Sequence, residues 1–470
     1  MNKEEKTGGT KELSNTSKNT SATGGAYEVP LLVVEADMVF FSSYCARAKV
    51  HEKGKEIMER KLKHYIVIIP EVDSVQANII KQEALARGAD CAIPQAFSLC
   101  RPEETATVLL FGSFSSLKNT ADKLKQQPLG LKEKGMAILK ALENTCQYGQ
   151  QAGTPKEKTT ETDLGEKSSQ AIRLFNRRRG YFEIKKPAVM GIINCTPDSF
   201  SNDGILAQIS SGSAADLQGS PPAHSYVQHA LTKAKKMIDD GAQILDVGGE
   251  SSRPGSATVP QDEEILRVVP VIKAIRTISD IPISIDTWKP AVAEAALDAG
   301  ADIINDIKAL GEPGMCQVAL EHRCPVVLMH MRGTPQNMQD PSNLNYTDIL
   351  LEVMSFLYAR ARYAEKAGIL HENIILDPGI GFAKKKEQNP ILIKGIGAIH
   401  SLGYYSLIGL SRKSFIAYYT DAPVTERLPG SLAGAVMAYT YGADIIRVHD
   451  VRETVQALAI AQAITQAGFE

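Results

Sequence analysis

The chain lacks a charge excess of either sign. Its 52 Lys and Arg against 54 Asp and Glu leave a formal net charge of -2 over 470 residues. Neither nucleic acid nor a membrane surface is therefore expected as its main partner. No run of about 18 or more apolar residues occurs, which excludes a membrane-spanning helix. A charged-then-apolar leader is missing too, because Ser, Thr, Asn, Lys and Gly dominate residues 1–26. The seven cysteines (Cys45, Cys91, Cys100, Cys146, Cys195, Cys316 and Cys324) are scattered. None has zinc-finger spacing and their number is odd, so they read as reduced thiols of a cytoplasmic protein, packed as small hydrophobes.

What is present divides the chain. Residues 1–26 are polar and low in complexity, and a disordered tail is expected there. Residues 27–146 read as a small α/β domain of unknown role. Leu31–Val34, Tyr65–Ile69 and Ala106–Phe111 are strand-length apolar runs. Val75, Ile79 and Leu85, and later Met136, Leu139 and Leu142, follow helical spacing. No phosphate-binding glycine loop and no acid–base set is visible in this part. Residues 147–170, rich in Gly, Thr and Lys, read as a linker.

From about residue 185 the rhythm changes. Strand-like runs fall at 188–193, 243–247, 282–285, 301–304, 325–329, 373–376, 405–410 and 444–448. Helix-period segments separate most of them. Val227, Ala230, Leu231, Ala234, Met237 and Ile238 share one helical face, as do Leu350, Val353, Phe356 and Leu357. Eight strands alternating with helices predict a (β/α)8 TIM barrel over 171–470, with the smaller N-terminal α/β domain before it. A doubly wound open sheet has the same alternation. Only the barrel gathers all eight strand ends around one mouth.

Those ends carry polar groups. The first run closes on Asn194 and a Pro- and Gly-bracketed loop through Pro197, Phe200 and Asp203, which suits closure over a ligand. The second closes on Gly248-Gly249-Glu250-Ser251-Ser252-Arg253-Pro254-Gly255, where glycines, hydroxyls and a guanidinium suit an anion. Asp286, Asn305-Asp306, His330, Asp377-Pro378-Gly379, Ser411-Arg412-Lys413-Ser414 and Arg447-Val448-His449 follow. In the last of these, alternation puts Arg447 and His449 on one face of an extended segment. Taken alone, Asp377 also reads as an Asx turn and Asn305 as a strand-end turn.

Seven of these motifs in this order resemble the dihydropteroate synthase family over about residues 187–470. The resemblance implies an enzyme, a transferase of folate biosynthesis. It joins 6-hydroxymethyl-7,8-dihydropterin pyrophosphate to p-aminobenzoate and releases pyrophosphate and 7,8-dihydropteroate. A homodimer assisted by Mg²⁺ is also implied. Asp286, Asn305, Asp377, Lys413 and Arg447 would form the pterin pocket. Ser252, Arg253, Arg447 and His449 would hold the pyrophosphate, and Asn194 would bind the metal. Pro197, Phe200, Phe382 and Ser414 would enclose p-aminobenzoate. Asp203, Arg253 and Lys413 would assist catalysis, Asp203 by favouring the cation left on the methylene carbon.

The chemistry of these side chains suits those assignments. A carboxylate can accept two N–H bonds from a pterin edge, and Asn305 can both donate and accept. A guanidinium can stack on the ring and reach phosphate. Mg²⁺ keeps most of its waters and takes few protein ligands. The amine of p-aminobenzoate is already nucleophilic, so no role is assigned to Cys195.

The sequence departs from the family pattern in four places. Asn202 stands where Asp is usual, one residue before Asp203. Ser252 replaces Thr, and Ala383 stands where Gly is common. Residues 205–224 read as a flexible insertion. A pterin-binding methyltransferase and a non-catalytic pterin-binding protein are the rival readings. The first would not need the pyrophosphate loop, and neither needs the complete residue set. Arg177, Arg178 and Arg179 read as a solvated linker surface.

Overall fold

The computed structural model describes residues 61–99, 105–148, 171–195, 223–251 and 255–467, with single positions between 41 and 58. The expected tail at 1–26, the strand at Leu31–Val34, the linker at 147–170 and the insertion at 205–224 lie wholly or almost wholly outside these.

The N-terminal part is a three-stranded antiparallel sheet in the order β1 (His64–Asp73), β3 (Thr105–Ser113), β2 (Asp90–Ala92). The helices Ser74–Leu85, Phe114–Leu124 and Leu131–Tyr148 accompany it. Asp73 starts the first of them, its side chain accepting from Val75 N and Gln76 N while Gln76 reaches back to the Asp73 N–H. The buried face of that helix is Ala77, Ile80 and Ala84, whereas Val75 and Leu85 are exposed. The helix forms as its spacing predicts, and Ile79 packs against that buried face. Met136 is likewise exposed, whereas Leu142 of the same spacing is buried with Ile138, and Leu139 packs against them. The third helix meets the rest of the chain where Asn144 Nδ2 donates to Ser401 O at 3.2 Å.

A hairpin, β4 (Ala171–Asn176) with β5 (Gly180–Lys185), precedes the barrel and was not foreseen. Its Ile172, Leu174 and Ile184 are buried with Met190, Ile244, Ile303, Val327, Ile375, Leu407 and Ile445, the inward-facing residues of the barrel strands. The hairpin therefore plugs the barrel at the strands' N-terminal end. Arg178 and Arg179, in its turn, pair with the fully buried Asp302 at 2.6 and 3.3 Å, and Arg276 joins them at 2.5 Å. Two of the three arginines expected on a solvated surface are thus tied to a buried carboxylate, which also accepts from Ile283 N.

Eight parallel strands close on themselves in the order expected: β6 (Ala188–Asn194), β7 (Ile244–Gly248), β8 (Ile283–Asp286), β9 (Ile303–Asp306), β10 (Val326–Met329), β11 (Ile374–Asp377), β12 (Tyr405–Gly409) and β13 (Ile445–Val448). Helices alternate with them. Ala230, Ala234 and Met237 are buried on the sheet, with Val227, Leu231 and Ile238 packed beside them, as the periodicity predicts. Val353 and Leu357 do the same, flanked by Leu350 and Phe356. No helix among the described residues is long and apolar enough to cross a membrane.

Strand alternation explains where the polar groups go. Side chains two apart share a face. Ile244, Ile303, Ile375 and Ile445 point into the barrel, so Asp246, Asn305, Asp377 and Arg447, two residues further along each strand, point inward as well, with Asp246 level with Ile303 and beneath the Asn305 row. Apolar residues fill the lower layers and a polar layer lies at the mouth.

Candidate active site

Registry brings distant residues level. Asn194 pairs with Gly248, Gly248 with Asp286, and Asp286 with Asn305, so one row crosses four strands at the mouth. Met329 pairs with Asp377 on the other side. Gly379 marks how tightly the strand ends pack there. Its φ is +69°, and a Cβ would lie 2.1 Å from His330 O, so only glycine fits.

Arg447 is the hub. Its Nε donates to Asp246 Oδ2 at 2.5 Å and its second terminal nitrogen donates to Asp286 Oδ2 at 2.6 Å. Two carboxylates hold the guanidinium protonated, overcoming its burial. Asn305 Nδ2 lies 3.4 and 3.3 Å from the two Asp246 oxygens. Burial pushes the Asp286 carboxyl up to about 7; Arg447 opposes this and Asp246 adds to it.

Asp377 and Lys413 form the opposite wall. Asp377 Oδ1 accepts the Gly379 N–H at 2.7 Å, so the Asx turn is real. Burial raises the Asp377 carboxyl, with Lys413 the main opposing influence. Burial lowers the Lys413 ammonium to about 8, against the pull of Asp377. Lys413 Nζ donates to Ile380 O and lies 4.7 Å from the centre of the Phe382 ring. A cation over an aromatic face is an attractive pair.

The remaining predicted residues sit around this centre. Asn194 ends β6, half-buried. His449 follows β13, its N–H donating to Ser411 Oγ at 3.2 Å and its Nδ1 3.0 Å from the same oxygen. Ser414 begins the helix Ser414–Thr420, and Lys386 Nζ donates to its hydroxyl at 2.6 Å. Asp203, Ser252, Arg253, Pro197 and Phe200 lie outside the described residues.

Two groups were missed. Asp246 is fully buried and joins Arg447 to Asn305. It sits inside a run read as apolar, yet its position two residues past inward-facing Ile244 was a usable signal. Lys384 is also buried, donating to Phe382 O at 2.8 Å and His330 O at 3.3 Å, with His330 Nδ1 at 3.1 Å. Burial drives the Lys384 ammonium well down, and burial with nearby Lys384 holds His330 neutral. No sequence pattern marked Lys384. Ala383, beside it, is buried with φ +48°, the left-handed region where glycine is at ease.

Comparison with known proteins agrees with this geometry. A family model described as "Pterin binding enzyme" matches residues 222–449. The dihydropteroate synthase of Escherichia coli is 42% identical over 285 residues, covering 61% of this chain and 94% of that protein. The Bacillus subtilis dihydropteroate synthase is also 42% identical, covering 60% and 90%. A crystal structure of the Yersinia pestis dihydropteroate synthase with a sulfonamide drug superposes with a TM-score of 0.55 at 38% identity, covering 63% of this chain and all of that one. A probable bifunctional folylpolyglutamate synthase/dihydropteroate synthase of Haloferax volcanii is 36% identical over 83% of this chain and 42% of its own length. The fold and the site define a pterin-binding barrel enzyme, and the chain belongs to the dihydropteroate synthase family.

Proposed function

We propose that this chain condenses 6-hydroxymethyl-7,8-dihydropterin pyrophosphate with p-aminobenzoate, giving 7,8-dihydropteroate and pyrophosphate. The observation that carries this reading is the single network of hydrogen bonds and ion pairs from Asn305 through Asp246 and Arg447 to Asp286, facing Asp377 and Lys413. Acceptors of this kind suit the N–H edge of a pterin, and Lys413 suits its carbonyl or a ring nitrogen. Arg447 can lie against the ring and reach the diphosphate.

In the reaction the bond from the methylene carbon to the pyrophosphate oxygen breaks and a bond from that carbon to the amine nitrogen forms. The amine then loses a proton. Fixed charge at the mouth stabilises departure of the diphosphate without a strong base. Arg447 and His449, with Ser252 and Arg253, are the groups assigned to that anion. Asp203 is assigned to the cation left on carbon. Phe382 and Ser414, with Pro197 and Phe200, are assigned to p-aminobenzoate.

Magnesium belongs to the same reading. Among the described residues no three His, Cys, Asp or Glu gather where they could hold a metal. The available donor is the neutral carboxamide oxygen of half-buried Asn194, level with Gly248 and Asp286. One such oxygen fits Mg²⁺, which keeps its waters and binds mainly through substrate phosphates. When bound, the ion would neutralise charge on the leaving diphosphate.

A cytoplasmic location is supported by free thiols at the described cysteines. A homodimer is supported by exposed Ile460 and Ile464 on the helix Val451–Gln466 and Met437 on the adjacent helix Leu428–Thr440. Division into an N-terminal unit at 27–146 and a barrel at 171–470 completes the proposal. The test is pyrophosphate release by the purified chain. Release that requires both p-aminobenzoate and Mg²⁺ supports the reading, and folded protein that releases none removes it.

A further inference from the structure

Asp246 has no assigned part in the reaction, yet it touches two residues of the pterin pocket at once. It is fully buried on β7, inside the barrel and one layer beneath the mouth. Its Oδ2 accepts from Arg447 Nε at 2.5 Å, and both its oxygens face Asn305 Nδ2 at 3.3 and 3.4 Å. A carboxylate has no proton to give, so only the amino end of the Asn305 amide can face it. That fixes the amide. Its nitrogen turns down toward Asp246, and its oxygen is presented on the opposite side, toward the mouth.

We propose that Asp246 is a positioning residue that sets Asn305 as a hydrogen-bond acceptor and aims Arg447. The substrate atom that meets the Asn305 oxygen must then be a donor. With Asp286 and Asp377, the pocket offers three acceptors to a ring edge rich in N–H groups, and an isosteric ring with an acceptor there is rejected. A polar group that loses its buried partner discriminates strongly, because the unpaired atom cannot be solvated. Without Asp246, the amide turns freely and Arg447 keeps one carboxylate instead of two. This inference rests on the synthase reading for the identity of the ligand, and not for the orientation of the amide.

The test exchanges the two partners. Asp246→Asn removes the fixed acceptor, and Asn305→Asp sets two carboxylates against each other. The double variant Asp246→Asn/Asn305→Asp restores a donor–acceptor pair with reversed polarity. The new amide at 246 donates to the new carboxylate at 305, its oxygen still accepts from Arg447, and an acceptor still faces the ligand. Calorimetry with 6-hydroxymethyl-7,8-dihydropterin reads the result without turnover.

Each single variant should bind about tenfold or more weakly, the loss of one charge-assisted hydrogen bond. The exchanged pair should recover most of that loss. In steady state, KM for the dihydropterin pyrophosphate should follow the same pattern while KM for p-aminobenzoate stays constant. A residue that merely supported the fold would not give recovery on exchange. If Asp246→Asn fails to fold, Asn305→Asp and the exchanged pair decide between them. Folded single variants that bind like the parent, or an exchanged pair no tighter than the weaker single variant, overturn the proposal. Parent protein that binds the pterin but never releases pyrophosphate overturns the synthase reading alone. Parent protein that does not bind the pterin overturns both.

Discussion

Replacing Asp377 by Asn changes one atom and separates two jobs of that side chain. The first job is local. Oδ1 accepts the Gly379 N–H at 2.7 Å and closes the turn that brings Gly379 against His330 O. An amide oxygen accepts that bond equally well, so stability should change by less than about 1 kcal/mol. The second job needs charge. As a carboxylate, Asp377 opposes the burial that lowers Lys413 and can take charge-assisted hydrogen bonds from the pterin. A hydrogen bond to a charged group contributes about 1.5–3 kcal/mol. At about 1.4 kcal/mol per factor of ten, Asp377→Asn should raise KM for the dihydropterin pyrophosphate about 10- to 150-fold. The variant should also titrate differently. Lys413 without its acidic neighbour should lose its proton below about 8, so the alkaline limb of the remaining activity should move toward acid. The assay is initial-rate pyrophosphate release at saturating p-aminobenzoate, beside a urea denaturation curve. A variant with parental KM and an unmoved alkaline limb would refute the charge argument. One that unfolds would show that the turn needs more than an acceptor oxygen.

Four further outcomes are expected. For the parent, kcat/KM against pH should be a narrow bell: it rises as Asp286 ionises through about 7 and falls as Lys413 deprotonates through about 8. Lys413→Arg, charged at all these pH values, should push the falling limb of its residual activity upward, and a limb that stays put contradicts the assignment. Lys384→Met should leave Phe382 O and His330 O without their buried donor and cost about 2–4 kcal/mol, read as a lower urea midpoint. Asp302→Ala should leave Arg178, Arg179 and Arg276 without their shared carboxylate and cost about 3–5 kcal/mol, with KM of the folded fraction unchanged.

The barrel was legible because its signal is repeated. Eight apolar runs of strand length, each followed by polar residues, leave few arrangements, and their order around the closed sheet matches the order in sequence. The mouth residues were legible for the same reason: Asp286, Asp377 and Arg447 stand at or next to strand ends, where inward-facing side chains change from apolar to polar. Asp246 was hidden because it lies inside its run, and only tracking the inward face from Ile244 would have exposed it. The hairpin at 171–185 was hidden because its burial comes from the barrel interior rather than from its own core. Arg178 and Arg179 looked solvated because their partner, Asp302, is more than a hundred residues away. The helix Ser74–Leu85 shows a different limit. Ala77, Ile80 and Ala84 line its buried side while the larger Val75 and Leu85 are exposed, so apolar spacing marked the helix but not its inner face.

The most direct measurement is a crystal structure of the full chain with 6-hydroxymethyl-7,8-dihydropterin pyrophosphate bound. The pterin edge should lie on Asp286, Asn305 and Asp377, with Lys413 at its carbonyl or ring nitrogen and Arg447 against the ring. The diphosphate should reach toward His449 and Asn194. A pterin bound elsewhere, or bound at the mouth with none of those three acceptors on its N–H edge, would contradict that placement.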